Sequence, residues 1–578
     1  MSLRLVDRLP PGGGRFARYE GHDTQPGWEP VDLAPIIARR RSEWLEELDA
    51  WHHEVSASAS RSPAWWLSPG SRLAAWYPVD LKPLFFVLAS LEAADATPGT
   101  LHLVGCPPAA SALAREWGAA GAAPAPPRAP TGGAPLRGVI AQARRGLRGR
   151  ARRPERARVV VFSLALDARI LATEDDHYFG GMLDALGDDV AWIYYPDRIH
   201  DLGRLRALLR STGRRIRFYF EWLGPREILL LLRDAARAER ALAAIARGLP
   251  ALRIAGRSSS GFAVAFGREV VTAALPVSEI ATLHALRRAF AELRPESVLY
   301  PYEEKGFERA VLLAKDAAAP SARAVAFAHA VYNDGHVYAR TRRLPQPPRA
   351  DVLAVTGEAA REWFVGTAGM SPERVVVMGS PRFRPARPLP PSPHRRARLR
   401  VLFVVGYGHE PGVLASYAAA RPALFDGCEI MVRRYPYAWP RQDDGIARLR
   451  SLAPRLVVDG GALDDQIAWS DVVLFDSTSA GVHAMVRGRA AVSVALPDPF
   501  TADLARGKGD LPGLIRCGDG HALAAALARL REMDDESYLE LERAQMRSAA
   551  RIYGPTDAAR LRTLLLPGGG SERSSPVS

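Results

Sequence analysis

Cysteine is scarce in this sequence, because the chain of 578 residues contains only Cys106, Cys428 and Cys517. These residues share no CxxC or Cys/His spacing, so we expect neither a disulfide framework nor a metal site. No apolar run approaches the roughly 18 residues that cross a bilayer. The first residues, MSLRLVDRLPPGGG, lack the apolar core of a signal peptide. We therefore expect a cytoplasmic protein that is at most peripheral to the inner face of the cytoplasmic membrane.

Acidic residues are nearly absent from one strongly basic stretch, residues 136–158, where a single glutamate stands among many arginines. The whole chain has a net charge of +14, which favours anionic partners. The rest of the chain is only mildly basic, so we expect no nucleic-acid partner. Two interpretations of residues 136–158 stay open. Apolar residues at helical spacing favour a helix lying on anionic lipid, whereas the glycines favour a solvated insertion.

Short apolar segments alternate with helical segments through most of the chain, which is typical of α/β units. The expected strands of the first half are 101–105, 158–163, 190–195, 297–300, 325–328 and 352–356. The expected helices are 42–55, the buried 84–88 and 182–186, and residues 203–248 have a strongly helical pattern. The second half has expected strands at 401–405, 429–432, 456–458, 472–475 and 491–495, and a last helix at 535–553. Buried strands in this alternation predict two doubly wound parallel sheets.

Segments rich in proline, arginine and glycine mark the predicted domain boundaries. Residues 384–399 (RPARPLPPSPHRRARL) favour neither a helix nor a central strand. We predict five parts: an extension 1–62; an acceptor-side domain 63–383 interrupted by 119–158; the linker 384–399; a nucleotide-binding domain 400–555; and a largely disordered tail 556–578. Two such domains enclose a cleft, and open α/β sheets bind ligands at the carboxyl ends of their strands.

Small, basic and hydroxyl residues follow three strands of the second half. Ser477, Thr478 and Ser479 come after a buried strand and before a helix, where a hydroxyl can cap the helix and a phosphate can bind its free N–H groups. The other donor-side candidates follow two earlier strands or lie in that helix, and they are Gly406, Gly408, Glu410, Arg433, Tyr435, Pro436 and His483. The glycines allow close approach to a ligand, and arginine suits pyrophosphate. An ordinary helix cap explains the hydroxyls alone, but the three strand ends together favour a nucleotide.

Candidate catalytic residues follow strands of the first half. Glu303 comes directly after a strand, and a cleft shielded from water can raise the pKa of such a carboxylate towards neutrality, as a general base requires. A glutamate at a helix N-terminus explains it equally well. His329, at another strand end, is the rival base. Asp176 is a third candidate, and His177, Tyr178 and Glu304 are candidates for binding an acceptor.

The chain resembles bacterial surface-carbohydrate (O-antigen-type) biosynthesis proteins, which are themselves similar to GT-B glycosyltransferases. The resemblance covers residues 60–555 except the basic insertion, and it rests on segments 65–68, 177–180, 302–308, 350–357 and 371–383 and on His329. In the second half, Ser477-Thr478-Ser479 matches a phosphate-binding cluster of GT-B enzymes that use CMP-, CDP- or UDP-linked donors. Tyr435-Pro436 stands where some of them have His-Pro, and His483 stands where a glutamate is often found.

The resemblance implies a GT-B-like fold, two Rossmann-type domains facing a central cleft, and metal-independent sugar transfer without a cofactor. A nucleotide-sugar would be the donor, and a glycan or lipid-linked molecule the acceptor, in surface polysaccharide biosynthesis. Two alternatives stay open. One is a nucleotide-sugar epimerase of the same architecture, and the other is a non-catalytic component of the polysaccharide assembly machinery, docked on membrane through 136–158.

Overall fold

A computed structural model of the chain shows the architecture. The residues that it describes are 2–6, 8–18, 26–72, 81–97, 99–119, 138, 140–142, 144, 156–166, 176, 178–197, 203, 207, 214–272, 275–332, 336, 348–381, 389, 397–406, 410–434, 440–453, 456–459, 461–476, 478–494 and 511–566. Most of the basic stretch 136–158 and the linker 384–399 therefore lies outside the described residues, and the predictions made for them stay predictions.

The first element is a small parallel sheet in the order β1-β4-β2-β3. Its strands are β1 (Ser2–Val6), β2 (Gly14–Arg18), β3 (Trp28–Pro30) and β4 (Thr100–Val104). Buried Leu3 and Leu5 alternate with exposed Arg4 in β1, the pattern of a strand with one buried face. Three of these strands come from the predicted extension 1–62, for which only a helix and loops were expected. The predicted strand at 101–105 is confirmed as β4.

The first large sheet has seven parallel strands in the order β13-β12-β11-β10-β5-β6-β7. Its strands are β5 (Val159–Leu166), β6 (Val190–Asp197), β7 (Arg215–Phe218), β10 (Ser297–Pro301), β11 (Arg323–Ala328), β12 (Val352–Val355) and β13 (Val375–Val377), and the hairpin β8 (Leu252–Ile254) and β9 (Arg257–Ser259) lies apart from it. Counted within the sheet, the order is 3-2-1-4-5-6-7. This is the Rossmann order, with its switch point between β5 and β10.

The second large sheet has six parallel strands in the order β16-β15-β14-β17-β18-β19. Its strands are β14 (Leu399–Val404), β15 (Cys428–Arg433), β16 (Val457–Asp459), β17 (Val472–Phe475), β18 (Ala490–Val494) and β19 (Ile515–Cys517). Counted within the sheet, the order is 3-2-1-4-5-6, so a second switch point lies between β14 and β17. Two Rossmann-type parallel sheets confirm the predicted α/β, GT-B-like fold class.

Helices cover the sheets and connect their strands. In the first half they are α1 (Ala34–Ala59), α2 (Pro63–Leu67), α3 (Lys82–Ala96), α4 (Pro108–Glu116), α5 (Pro225–Arg247), α6 (Ser260–Thr272), α7 (Val277–Leu293), α8 (Gly306–Ala318) and α9 (Glu358–Gly366). The second half adds α10 (Glu410–Ala420), α11 (Pro440–Leu452), α12 (Leu463–Trp469), α13 (Ala480–Val486), α14 (Gly520–Glu532), α15 (Asp535–Ile552) and α16 (Ala558–Leu565). Short 3-10 helices lie at Pro69–Ser71, Gly180–Asp189, Tyr219–Trp222, Pro372–Arg374 and Pro422–Phe425.

The two halves meet at an apolar cluster near the carboxyl ends of both sheets. Val331, which follows β11, and Ala359 of α9 share this cluster with Phe475 and Val482 of the second half, and with residues of α15. The chain then returns to the first half, because α16 buries Leu561 and other leucines in the first half's core. This contact places the carboxyl edges of the two sheets beside each other.

Two predictions from helical patterning need correction. Residues 203–248 do not form helix alone, because Arg215–Phe218 is an edge strand and a 3-10 helix follows it. The predicted tail 556–578 begins with α16. Its buried leucines at 561, 564 and 565 have the spacing of one helix face, which explains why this part folds. Within the described residues, no helix is long and apolar enough to span a membrane.

Candidate functional site

At the switch point of the first sheet, a buried carboxylate fixes the conformation of a loop. The loop follows β10, and the Glu308 carboxylate, 1% exposed in the first turn of α8, accepts the backbone N–H groups of Glu303 and Glu304 at 2.7–3.0 Å. Glu304 adopts a left-handed backbone with φ of +57°. Burial and the two neighbouring carboxylates raise the pKa of Glu308 well above its ordinary value. Glu308 therefore positions the loop that carries the predicted catalytic residue.

Glu303 is the centre of a cluster of polar side chains. Its Oε1 lies 3.6 Å from Nε2 of His329 and accepts a 3.4 Å hydrogen bond from the hydroxyl of Tyr178. Its Oε2 pairs with the ammonium of Lys305. The rings of Tyr178 and His329 meet edge to face, with centroids 4.5 Å apart. The structure thus brings together both candidate bases and the predicted acceptor-side Tyr178, and it adds Lys305.

The pKa of Glu303 moves in the direction opposite to the one expected. Burial alone would raise it, but the charges of Lys305, His329 and Arg72 outweigh burial and lower it to about 2. Glu303 is therefore ionised near neutral pH and is a weak proton acceptor. The ionised carboxylate is better suited to orient His329 and to stabilise its imidazolium form. His329, 9% exposed and directly after β11, is then the stronger candidate for the base.

Asp176, predicted as a catalytic candidate, lies in a network of buried hydrogen bonds. Its Oδ1 accepts the backbone N–H groups of Tyr178 and Phe179 at 2.8 and 2.7 Å, and its Oδ2 accepts the Ser163 hydroxyl at 2.7 Å. The side chain is only 4% exposed, and burial raises its pKa in spite of these hydrogen bonds. Asp176 thus fixes the turn that carries Tyr178, a member of the Glu303 cluster.

One predicted acceptor-side residue does not join the cluster. Glu304 pairs instead with Arg309, a buried guanidinium of α8. His177 lies outside the described residues. Arg72, whose charge acts on Glu303, was missed, because it follows a 3-10 helix far upstream and no strand end marks it in the sequence. Lys305 carried a signal, since it stands two residues after Glu303 in the same loop.

The second switch point carries the hydroxyls that sequence analysis singled out. Thr478 follows β17, and its Oγ1 accepts the N–H of Ala480, the first residue of α13, at 3.3 Å. Ser479 stands at the cap position without a capping side-chain hydrogen bond. Gly481 allows α13 to approach the sheet, because a Cβ there would lie 2.1 Å from the ring of Phe475. Gly406 is buried directly beyond β14.

Two side chains with nitrogen donors belong to the same half of the chain, and each has a partner before or within α12. Nη1 of Arg433, at the end of β15, donates to the Gly461 carbonyl and, at 2.7 Å, to Oε1 of Gln466. Nε2 of His483 in α13 lies 2.8 Å from Oδ1 of Asp464 in α12. Arg433 and His483 are therefore both held by side chains of the short helix α12, namely Gln466 and Asp464.

Several of the predicted donor-side residues are not among the residues that the structure describes. Gly408, Tyr435, Pro436 and Ser477 lie outside the described residues, and the side chain of Glu410, which begins α10, is not described. Their assignment stays a prediction. Among the residues that the structure does describe, no group of three or more His, Cys, Asp or Glu side chains could hold a metal ion.

The arrangement can bind an anion on one side and move a proton on the other. The second switch point offers a guanidinium, an imidazole and hydroxyls, which are donors that suit phosphate oxygens. The first offers an imidazole beside an ionised carboxylate, which is a pair suited to accepting a proton. Val331, two residues beyond His329, packs with Phe475, two residues before Ser477, so the two sets of side chains lie on the facing edges.

No family model and no curated protein matches this chain. Several solved structures can be aligned with most of this chain. They include UDP-GlcNAc 2-epimerase from Neisseria meningitidis bound to UDP-GlcNAc (10% identity, TM-score 0.42, covering 71% of this chain and 100% of that one). The calicheamicin glycosyltransferase CalG4 has 14% identity and a TM-score of 0.41, covering 72% and 100%. The lipopolysaccharide outer core galactosyltransferase WaaB, in its apo form, has 11% and 0.40, covering 71% and 99%. Similarity this weak does not assign a reaction to this chain.

Proposed function

We propose that the protein is a glycosyltransferase of surface polysaccharide or O-antigen biosynthesis, which transfers a sugar from a nucleotide-sugar to a glycan or lipid-linked acceptor. One observation carries this proposal. The switch points of two Rossmann-type sheets lie on facing edges, and one offers a base with its carboxylate partner while the other offers donors for phosphate. A two-substrate transfer needs these two sets of groups in one cleft.

The donor's phosphates are assigned to the second sheet. Thr478, Ser479 and Arg433 would hold the pyrophosphate, with His483 beside them. Positive charge and N–H groups already in place would stabilise the negative charge that develops on the departing nucleotide. This assignment uses no bound metal and no cofactor, as predicted from the sequence. Gly406 lies where backbone can approach the nucleotide closely.

The acceptor is assigned to the first sheet. We expect His329 to take the proton of the attacking hydroxyl, and Glu303 to orient the imidazole and stabilise its charged form. Tyr178 and Lys305 complete the cluster and would contact the acceptor or the transferred sugar. Glu303 is thus moved from the base role that the sequence suggested to a supporting one, because Lys305 holds its carboxylate ionised.

Nucleotide binding tests the donor half of the proposal. A thermal-shift screen with CMP, CDP, UDP and GDP should raise the melting temperature for at least one nucleotide. Arg433→Gln should lose most of that shift, whereas Arg529→Gln, which removes an exposed charge in the last turn of α14, should keep it. If no nucleotide shifts the melting temperature, the chain is a non-catalytic component rather than a transferase.

The first-sheet cluster also suits an epimerase that acts on the sugar of a nucleotide-sugar. Such a reaction needs proton-accepting and proton-donating groups beside one sugar, and both His329 and Tyr178 lie within ionic or hydrogen-bonding distance of Glu303. Incubation with the nucleotide-sugar alone separates the two reactions. An epimerase converts the sugar without an acceptor, whereas the transferase releases nucleotide at an appreciable rate only when an acceptor is present.

A further inference from the structure

A cavity of about 620 Å³ lies in the first half, away from both switch points. It is bounded by the end of α1, by α2, by the second half of α8 and by the residues just before β12 and β13. Because the strands are parallel, the residues before β12 and β13 lie at the amino edge of the sheet, opposite the edge that carries Glu303 and His329. The volume is in the range of sites that hold small organic ligands.

Three guanidinium groups line this cavity, and they come from separate parts of the chain. Arg61 follows α1, Arg349 precedes β12 and Arg374 precedes β13. The lining contains one carboxylate, Asp316, whose Oδ1 lies 3.1 Å from the ammonium of Lys315. Positive charge therefore exceeds negative charge in the cavity wall. An anion bound among the arginines would compensate this excess.

The arginines stand close enough to affect one another. Burial and the charge of Arg374 lower the pKa of Arg349, which is half-buried. Arg374 is held by the backbone, since it donates to the carbonyls of Ala350 and, at 3.4 Å, of Asp351. Two like charges held in a partly buried wall repel each other. A ligand with two negative charges would attract both guanidinium groups and so offset the repulsion between them.

An apolar surface lies next to the arginines. Trp66 and Pro348 line the cavity, and Trp66 is held in place by its indole N–H, which donates to the Ser60 carbonyl at 3.0 Å. Trp66 is 4% exposed, so only a small part of its ring reaches the cavity, and Pro63 and Leu313 add to the apolar part of the lining. A ligand with an anionic group and an apolar part would match this lining.

We propose that this cavity binds a phosphate monoester or diphosphate whose apolar organic group packs against Trp66. Phosphate suits the arginines better than carboxylate does. A carboxylate has two oxygens and one charge, whereas the phosphate of a monoester has three terminal oxygens and up to two charges to share among three arginines. The site is independent of the proposed sugar transfer, because it uses none of the residues assigned to either substrate.

The cavity also adjoins the loop of the first switch point through one residue. Arg309 of α8 lies over the ring of Trp66, 5.7 Å from its centroid, and donates to the Pro348 carbonyl at 2.6 Å. The same guanidinium pairs with Glu304, the neighbour of Glu303. A ligand in contact with Trp66 and Pro348 would therefore lie next to Arg309, which also pairs with the loop that carries Glu303.

Calorimetric titration of the full chain with geranyl phosphate, and separately with inorganic phosphate, tests this site. Geranyl phosphate should bind at least about tenfold more tightly than inorganic phosphate, because its apolar part leaves water. Arg349→Gln should weaken binding of geranyl phosphate by about 10- to 100-fold, the effect of one charge-assisted hydrogen bond. Arg61→Gln should weaken it in the same direction, and Arg61 is exposed, so this variant should fold normally. Arg543→Gln, an exposed charge on α15, is the matched control.

If Arg349→Gln and Arg61→Gln both bind geranyl phosphate as tightly as the wild type, the proposal that this cavity binds it is wrong. Equal affinities for geranyl phosphate and inorganic phosphate would overturn the organic part of the proposal. Binding of the nucleotides is measured in parallel by thermal shift. If the wild type does not bind geranyl phosphate but nucleotides still raise its melting temperature, the cavity proposal is wrong and the transferase proposal is unaffected. If no nucleotide raises the melting temperature, the transferase proposal is wrong and the cavity proposal is unaffected.

Discussion

Oε1 of Glu303 lies 3.6 Å from Nε2 of His329, although the two residues belong to different strand ends of the first sheet. The carboxylate is also paired with Lys305, and the pKa of Glu303 falls to about 2. An anion in this position cannot accept a proton readily near neutral pH, but it can hold an imidazole in one orientation. This geometry supports the proposal in which His329 is the base and Glu303 is the residue that orients it.

His329→Gln should reduce kcat of sugar transfer by about 10²- to 10⁴-fold, the usual contribution of a general base. Glu303→Gln should reduce kcat by at least about tenfold and should move the acidic limb of the kcat/KM pH profile to lower pH, because the imidazolium loses its counterion. The measurement is steady-state kinetics across pH for both variants, together with nucleotide binding, which should not change.

A second buried histidine pair offers the control. Nε2 of His284 lies 3.1 Å from Oδ2 of Asp234, between α7 and α5 and outside the cluster. His284→Gln removes a similar interaction and should leave the pH profile of the folded enzyme unchanged. A larger loss of kcat in Glu303→Gln than in His329→Gln would return the role of base to Glu303.

His52 should make stability depend on pH. It is 2% exposed, its Nε2 lies 2.8 Å from the Gly70 carbonyl, and burial lowers its pKa from 6.5 to about 4. The unfolded chain binds the proton below pH 6.5 while the folded chain stays neutral at this residue, so stability present above pH 6.5 is lost as pH falls towards 4. The shift corresponds to about 3 kcal/mol of unfolding free energy.

Urea unfolding between pH 7.5 and 4.5 measures this effect. His52→Gln keeps a nitrogen donor for Gly70 but cannot titrate, so its unfolding free energy should fall less steeply with pH than that of the wild type. His521→Gln, which changes an exposed histidine, should keep the full slope. Identical slopes in the wild type and His52→Gln would contradict the proposal that a buried neutral His52 causes the dependence.

Asp176 should matter for stability more than for chemistry. Asp176→Ala removes the acceptor of two backbone N–H groups and of the Ser163 hydroxyl in a buried turn, which should lower the unfolding free energy by roughly 2–4 kcal/mol. Asp176→Asn keeps one acceptor oxygen and should lose less. Chemical unfolding measures both. If folded Asp176→Asn lost activity as completely as His329→Gln, a catalytic role would be restored.

Strand periodicity and strand ends predicted the sheets well. Every strand expected from 158 to 356 and from 401 to 495 is present, and Thr478 and His329 lie at the carboxyl ends where the sequence placed them. Buried parallel strands are short continuous apolar runs, which makes them visible in a sequence. The edge strand at 215–218 was missed because its alternating arginines, read together with the helix after it, resembled a polar helical face.

The ionisation of the site was not visible in the sequence. Whether burial raises the pKa of Glu303 or neighbouring charges lower it depends on distances between chain segments, and Arg72 lies more than two hundred residues upstream. The same holds for Asp176, whose backbone partners appear only once the turn is folded. The polar residues of the site were therefore predictable from the sequence, whereas their hydrogen bonds and charges were not, and the catalytic roles predicted for Glu303 and Asp176 stay predictions.

The helix α16 gives a direct test of the corrected C-terminus. Leu561 is fully buried in the core of the first half, so Leu561→Ala should lower the unfolding free energy by about 2–5 kcal/mol. Thr563→Ala, on the exposed side of the same helix, should have an effect within about 0.5 kcal/mol. Equal effects of the two substitutions, measured by chemical unfolding, would show that α16 does not pack on the first half.

Glycines set the distance between the two halves where the chain crosses. At Gly379, with φ of +89°, a Cβ would lie 2.1 Å from the Pro555 carbonyl oxygen, and at Gly357 it would lie 2.3 Å from that of Arg551. Both contacts are with backbone, which cannot rotate away as a side chain can. Gly379→Ala should therefore push the segment between α15 and α16 away from the first half and lower the melting temperature by several degrees.

Gly366→Ala is the control, because it lies at the end of α9 and a Cβ there would meet nothing within 4 Å. This substitution should leave the melting temperature unchanged or raise it slightly. Nucleotide binding reports separately on the second half. The segment between α15 and α16 connects the two halves. If that is its only role, Gly379→Ala should reduce sugar transfer and leave nucleotide affinity unchanged, because the donor residues lie on one sheet and His329 lies on the other. Loss of nucleotide affinity in Gly379→Ala would show that the crossing supports the fold of the second sheet itself.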